Sequence, residues 1–156
     1  MLLSVGNKAP EIETVLENGE KFILSSFKGK WIVLYFYPKD NTSGCTQEAC
    51  DFRDNMSRIK SFGAEIFGIS PDTERSHLGF MQKYNLNFHL LVDTDKEISK
   101  LYDVIGEKSL YGRKYIGVIR STFLINPDGI ISKVFYNVKV SGHVDEIINS
   151  LQQLIG

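Results

Sequence analysis

The longest unbroken apolar run in the chain is Trp31-Ile32-Val33-Leu34-Tyr35-Phe36-Tyr37. It is β-branched and aromatic and does not alternate with polar residues, which predicts a central strand buried on both faces. Pro38 ends it, and Lys39-Asp40-Asn41-Thr42-Ser43-Gly44 reads as a polar, breaker-rich loop. The period then changes. From Thr42 or Ser43 to Phe62, the residues Ala49, Phe52, Met56 and Ile59 are spaced by three, four and three, the stripe of one amphipathic helix, with Gly63 as its stop. Ala64 to Ser70 is a second strand. Pro71-Asp72-Thr73 opens a second helix carrying Leu78, Met81 and Tyr84. Leu90-Leu91-Val92 is a short strand, and Lys96 to Tyr102 a short helix.

The two ends of the chain read as hairpins and a helix. Residues 11–24 flank Asn18-Gly19, a pair that tolerates the positive φ of tight hairpin turns. Residues 25–30 are a polar connector. Ile119 to Ile125 and Ile130 to Tyr136 flank Asn126-Pro127-Asp128-Gly129, a turn with Pro at its second position, so these strands pair antiparallel. Ser141 caps a last helix with Val144, Ile147, Ile148, Leu151 and Ile155 on one face. The stretch Lys108 to Lys114 holds three cations. It reads as a solvated loop, with docking of a reductant as the alternative. Strands alternating with helices predict parallel pairs, and the late hairpin adds an antiparallel edge. The fold class is therefore α/β with a mixed central sheet flanked by helices. With no repeat or linker, residues 1–156 read as one domain.

Composition narrows the function. Of 156 residues, 42% are hydrophobic and 24% charged, an ordinary globular mix. Lys and Arg number 18 against 19 Asp and Glu, a net charge of −1, so no cationic excess draws in nucleic acid or a membrane surface. Seven apolar residues in a row are far short of the roughly 20 that span a bilayer. The N-terminus shows no charged region before a long apolar stretch, so no export signal is visible and a cytoplasmic location is expected. Two cysteines are too few for a disulfide scaffold. In a reducing compartment, a pair that does oxidise is more often catalytic than structural.

The informative segment runs off the C-terminal end of the central strand, through the loop, into a helix start. In open α/β sheets that edge is where ligands bind. Cys45 falls in the first helical turn, where unpaired N–H groups and the dipole favour a thiolate. Gly44 and Thr42 give it an exposed, polar cradle. Cys50 by position alone reads equally as a core residue. Five residues turn a helix by about 500° and raise it by about 7.5 Å, so the two α-carbons lie roughly 8.6 Å apart. A disulfide needs less than about 7 Å. Both cysteines can sit on an intact helix only when reduced, and bonding them requires the helix start to unwind.

The chain resembles the peroxiredoxins, most closely the Q-type or bacterioferritin comigratory protein subfamily. The family pattern Pro-x-x-x-Thr/Ser-x-x-Cys reads here as Pro38, Thr42 and Cys45. A resolving cysteine five residues on matches Cys50, and a catalytic Arg within Ile119-Arg120-Ser121-Thr122-Phe123-Leu124-Ile125 matches Arg120. The similarity runs from Gly6-Asn7-Lys8-Ala9-Pro10 to the last helix. Ser43 stands where the family usually has Pro, and Asn126 where Asp is common.

The resemblance implies a thioredoxin-like fold, no cofactor, and a role for each residue. Cys45 would attack the terminal peroxide oxygen and become a sulfenic acid. Thr42 would hydrogen-bond the thiolate and the peroxide, Arg120 would stabilise the charge developing on the oxygens, and Pro38 would shield the thiolate. Cys50 would condense with the sulfenic acid to a disulfide, which thioredoxin or a similar dithiol would reduce. Glu48 could line the site but reads as an exposed helix carboxylate. Lowering a Cys pKa from about 8.5 to about 6 gains only some thirty-fold in ionised fraction at pH 7, so fixed donors on the peroxide must supply the rest, each worth roughly 10²–10³. The partners expected are a peroxide and a dithiol reductant, with the chain a monomer or weak homodimer. One metal reading remains, a copper chaperone of the same fold using Cys45, Cys50 and His143, although its cysteine spacing is usually shorter. A glutathione-peroxidase-like enzyme would lack the Thr42-to-Cys45 spacing.

Overall fold

A computed structural model describes residues 3–156. Its centre is a five-stranded mixed sheet. β3 (Trp31–Phe36) is the middle strand, β4 (Ala64–Ser70) and β5 (His89–Val92) run parallel to it on one side, and β8 (Ser121–Ile125) and β9 (Ile131–Tyr136) are antiparallel on the other. β3 is central for the reason its composition predicts. Val33, Tyr35 and Tyr37 join one core cluster, while Ile32, Leu34 and Phe36 join the other, on the opposite face. The first cluster holds Cys45, Ala49 and Phe52 of α1 (Ser43–Asp54), Met56 and Ile59 of α2 (Met56–Ser61), Phe80 of α3 (Glu74–Tyr84), and Val144, Ile147, Ile148 and Leu151 of α5 (His143–Ile155). The second takes in Ile12, Phe22, Ile98 and Tyr102, contributed by the N-terminal segment with its hairpin β1 (Glu13–Val15) and β2 (Lys21–Ile23) and by the region of α4 (Glu97–Leu101). No helix of the described residues is long and apolar enough to cross a membrane.

Four details depart from the sequence expectation. The single helix through Phe62 is two helices, broken at Asn55, whose backbone (φ −110°, ψ 12°) is non-helical and whose side-chain amide donates to the Asp51 carbonyl. This is the competition for backbone groups that makes Asn a poor helix-interior residue. On α3 the buried face is His77 and Phe80, and Leu78 is exposed. α5 is entered through Gly142 at φ 76°, with no side-chain cap from Ser141. The cationic stretch is no loop. It forms the centre of a hairpin, β6 (Ile105–Leu110) and β7 (Arg113–Val118), turning through Tyr111 and Gly112, both at positive φ. Its polar, largely exposed residues carry no alternating apolar pattern, so periodicity could not find it.

The topology places the site. β3 and β8 are antiparallel, with Phe36 paired to Ser121, so the end of β3 lies beside the start of β8. Whatever follows Phe36 therefore meets whatever precedes Ser121. Behind that edge the packing is tight. A Cβ added to Gly68 of β4, the register partner of Tyr35, would meet the Tyr35 ring at 2.8 Å and Leu90 at 2.9 Å. Gly68→Ala is expected to cost roughly 1–3 kcal/mol through overpacking, read as a lower urea midpoint at unchanged m-value.

Candidate active site

The loop between β3 and α1 is held by a buried network. The Asp40 carboxylate, 5% exposed as a residue, accepts from the Tyr37 hydroxyl at 2.6 Å and from Ser76 at 2.8 Å, and lies 2.8 Å from His77 Nδ1. His77 Nε2 faces the Leu91 carbonyl at 2.7 Å. Both ring nitrogens thus face oxygen. The Asp40 amide donates to Asp72 at 2.8 Å, and Asp72 accepts in turn from Ser70. Asp40, Asp72 and His77 bring ligand atoms within 4.8 Å of one another. The Asp40 and His77 atoms, like Asp72 Oδ2, are already engaged in hydrogen bonds, so the trio is a clamp on the loop and not an open metal site. Asn41 follows at φ 64°, a conformation its short polar side chain tolerates. Thr42 is the extended N-cap residue of α1.

Cys45 lies in the first turn of α1, among the amides that have no partner within the helix. It is 1% exposed, so the exposed cradle expected for it is in fact closed. Arg120, in the link between β7 and β8, is the closing group. Its Nη2 donates to Cys45 Sγ at 3.4 Å and its Nη1 to Glu48 Oε1 at 2.6 Å. Gly44 lets the guanidinium approach, since a Cβ there would lie 3.2 Å from Nη2. Burial opposes the charge on Arg120, and Glu48 and Cys45 more than offset this, so its pKa is raised. Lys108 of β6 donates to the Val118 carbonyl at 3.0 Å. Burial and the nearby Arg120 lower its pKa, against the pull of Cys45.

Glu48 corrects the sequence reading. It is fully buried, not an exposed helix carboxylate. Burial pushes its pKa up to about 7, against the pull of Arg120 and with a smaller push from Asp51. The signal was present in the spacing. Cys45, Glu48, Ala49 and Phe52 fall at i, i+3, i+4 and i+7, one helix face, and all four are buried. The Asp40–His77 clamp was missed outright, because nothing local marks two residues 37 positions apart as partners.

The other candidates fall as follows. The Thr42 hydroxyl donates to the Lys39 carbonyl at 2.8 Å, and the donor that reaches Cys45 Sγ is Arg120. Pro38 is half-buried at the end of β3. Cys50 is half-buried on the same intact helix as Cys45, and both thiols are free. His143 is buried at the start of α5, its Nε2 2.9 Å from Thr122 Oγ1. Its partner is therefore a hydroxyl, and the grouping of possible metal ligands among the described residues contains neither His143 nor a cysteine.

Fold and site together define a class: a thiol enzyme whose cysteine starts a helix on a thioredoxin-like sheet, under a buried guanidinium. Residues 5–134 match the AhpC/TSA family. A putative peroxiredoxin bcp of Coxiella burnetii is 47% identical over 151 residues, covering 97% of this chain and all of its own. Peroxiredoxin Bcp of Bacillus subtilis is 46% identical over 154 residues, 99% of this chain and 98% of that one. A solved structure of the bacterioferritin comigratory protein of Xanthomonas campestris superposes with a TM-score of 0.88 at 37% identity, covering 93% of this chain and 92% of that one. The chain belongs to the AhpC/TSA family, among its Bcp peroxiredoxins, and is a thiol peroxidase acting on a peroxide with a thiol reductant. The copper-chaperone alternative is not supported.

Burial, reinforced by the charge of Arg120, pushes the His143 pKa down to about 4. The folded state holds it neutral while the unfolded chain, near 6.5, takes the proton, so stability is complete above about pH 6.5 and falls as pH drops toward 4. Replacing His143 with Gln is expected to flatten that fall. Thermal midpoints of the two proteins measured between about pH 4 and 7 check it; parallel curves would count against it.

Proposed function

We propose that the chain reduces hydrogen peroxide and organic hydroperoxides through Cys45, that Cys50 resolves the product as an intramolecular disulfide, and that thioredoxin or a similar dithiol restores both thiols. The observation that carries this reading is the contact of Arg120 Nη2 with Cys45 Sγ at 3.4 Å, with the other arm of the guanidinium fixed by Glu48 at 2.6 Å. The bacterioferritin comigratory protein of Xanthomonas campestris has alkyl peroxide reduction activity, which supports the substrate class.

In the proposed step the Cys45 thiolate attacks the terminal oxygen. An S–O bond forms, the O–O bond breaks, and the leaving oxygen takes a proton. Arg120 offers fixed positive charge where the oxygens become negative, and its pre-set orientation avoids reorganisation during the reaction. The Thr42 O–H is occupied by Lys39, so its oxygen is left to accept from the hydroxyl of the peroxide. Pro38 limits water at the strand end. The Cys50 thiol then displaces water from the sulfenic acid. On an intact α1 the two α-carbons stand about 8.6 Å apart, so the start of α1 unwinds before the disulfide closes. Phe52, fully buried, anchors the helix beyond the part that opens. Residues 1–156 act as one peroxiredoxin domain, a monomer or weak homodimer in the cytoplasm.

Cys45→Ser is expected to abolish peroxide reduction in a thioredoxin-coupled assay, because a hydroxyl cannot supply the nucleophile. Substantial remaining activity would sink the assignment. Arg120→Met is expected to slow the peroxide step by roughly 10²-fold, measured by stopped flow. A rate within a few-fold of wild type would make Arg120 structural. Cys50→Ser is expected to complete one turnover and stall as a sulfenic acid that excess peroxide drives to sulfinic acid. Oxidised wild type is expected to lose about two turns of helical circular dichroism, recovered with dithiothreitol. Normal thioredoxin cycling by Cys50→Ser, or unchanged helicity on oxidation, would overturn the resolving role.

A further inference from the structure

Glu48 is placed unusually for a residue that only orients Arg120. Its Oε1 meets Nη1, but Oε2 is buried with no hydrogen-bond partner. The hydroxyl of Tyr35, on β3 and within the electrostatic reach of both Glu48 and Cys45, is likewise buried and unpartnered. A carboxylate with a bare, buried oxygen is costly. The guanidinium between Glu48 and Cys45 carries one positive charge and cannot neutralise two anions. We propose that Glu48 is the charge-compensating carboxyl of the peroxide step: neutral while Cys45 is a thiolate, and ionised once Cys45 is a sulfenic acid.

This rests on the reading of Cys45 as the peroxide-reactive thiol. Thiolate, neutral Glu48 and Arg120 cation sum to zero. The attack forms one S–O bond, breaks one O–O bond, oxidises sulfur by two electrons and leaves hydroxide or alkoxide, which needs one proton. Sulfenic acid, ionised Glu48 and Arg120 cation again sum to zero. The proton Glu48 gives up matches the one the leaving oxygen takes, so protein and peroxide together draw none from the medium. Arg120 thus keeps one anion throughout, first on sulfur and then on the carboxylate. Its neighbours permit the exchange. Burial pushes the Glu48 pKa to about 7, with Asp51 on the same helix adding to it. Lys108 approaches Arg120 and Cys45 from β6, and His143 on α5, which feels Arg120, is held neutral. Glu48 touches no substrate atom, so it acts through Arg120 as a positioning and charge-balancing residue.

The test counts protons. Reduced wild type and Glu48→Gln each receive one equivalent of hydrogen peroxide near neutral pH, in weak buffer with an indicator dye, while thiol loss is followed in parallel. Glutamine keeps the hydrogen bond to Arg120 but cannot release a proton. The variant is expected to take up about one proton per peroxide consumed, and wild type about half of that or less. Infrared difference spectra of wild type carrying carboxyl-labelled glutamate should lose a protonated-carboxyl band on oxidation, a readout that needs no variant. Equal proton uptake, or no change in that band, while thiols disappear normally, would overturn the inference. No thiol loss would instead overturn the peroxidase reading on which it stands.

Discussion

One buried guanidinium organises the site. Arg120 is the donor to Cys45 and the partner of a fully buried Glu48, and its own side chain is only 15% exposed. Moving a charge from water into such surroundings costs several kcal/mol unless a counter-charge and good geometry offset it. The 2.6 Å contact with Glu48 supplies the geometry, and Glu48 and Cys45 between them the counter-charge. The same arrangement leaves one arm of the guanidinium aimed at sulfur. A peroxide oxygen becoming negative beside Cys45 would meet a charge already desolvated and oriented, where a flexible surface arginine would first have to give up its water.

That pair meets because of strand order. Antiparallel pairing of β3 with β8 sets Phe36 opposite Ser121. The cysteine helix leaves one strand where the arginine enters the next. The Asp40–His77 clamp fixes the intervening loop against α3 and β5, so the start of α1 is located by polar contacts with three other segments as well as by its own N-cap. The β6–β7 hairpin adds Lys108 on the flank of Arg120 and exposes Leu110, Tyr111, Tyr115 and Ile116.

The helix that presents Cys45 also separates it from Cys50. A rigid α1 favours the proposed attack on peroxide, since Gly44 leaves room for the guanidinium and Arg120 Nη2 reaches Cys45 Sγ at 3.4 Å. The proposed disulfide step needs that order released. Asn55 already ends α1 after 12 residues, so unwinding from the N-terminal side need not propagate into α2. The segment that would move in that step is bounded by the Asp40 clamp on one side and by buried Phe52 on the other.

The sequence by itself determined the elements whose signal is local. Trp31–Phe36 is central because its run is apolar on both faces, the turn at Asn18-Gly19 closes because Gly19 accepts a φ of 84°, and the spacing of Pro38, Thr42, Cys45, Cys50 and Arg120 carried the family resemblance. What it did not determine concerns partners brought from a distance. The spacing of Glu48 with Cys45, Ala49 and Phe52 points it inward, but only Arg120 arriving 72 positions later makes a buried carboxylate there tolerable. His77 reads as a polar residue on a helix until Asp40 and the Leu91 carbonyl close on its two nitrogens. Periodicity reports which side of an element turns inward. Whether a charge survives there depends on the opposite charge another element sets against it, and only the tertiary structure decides that.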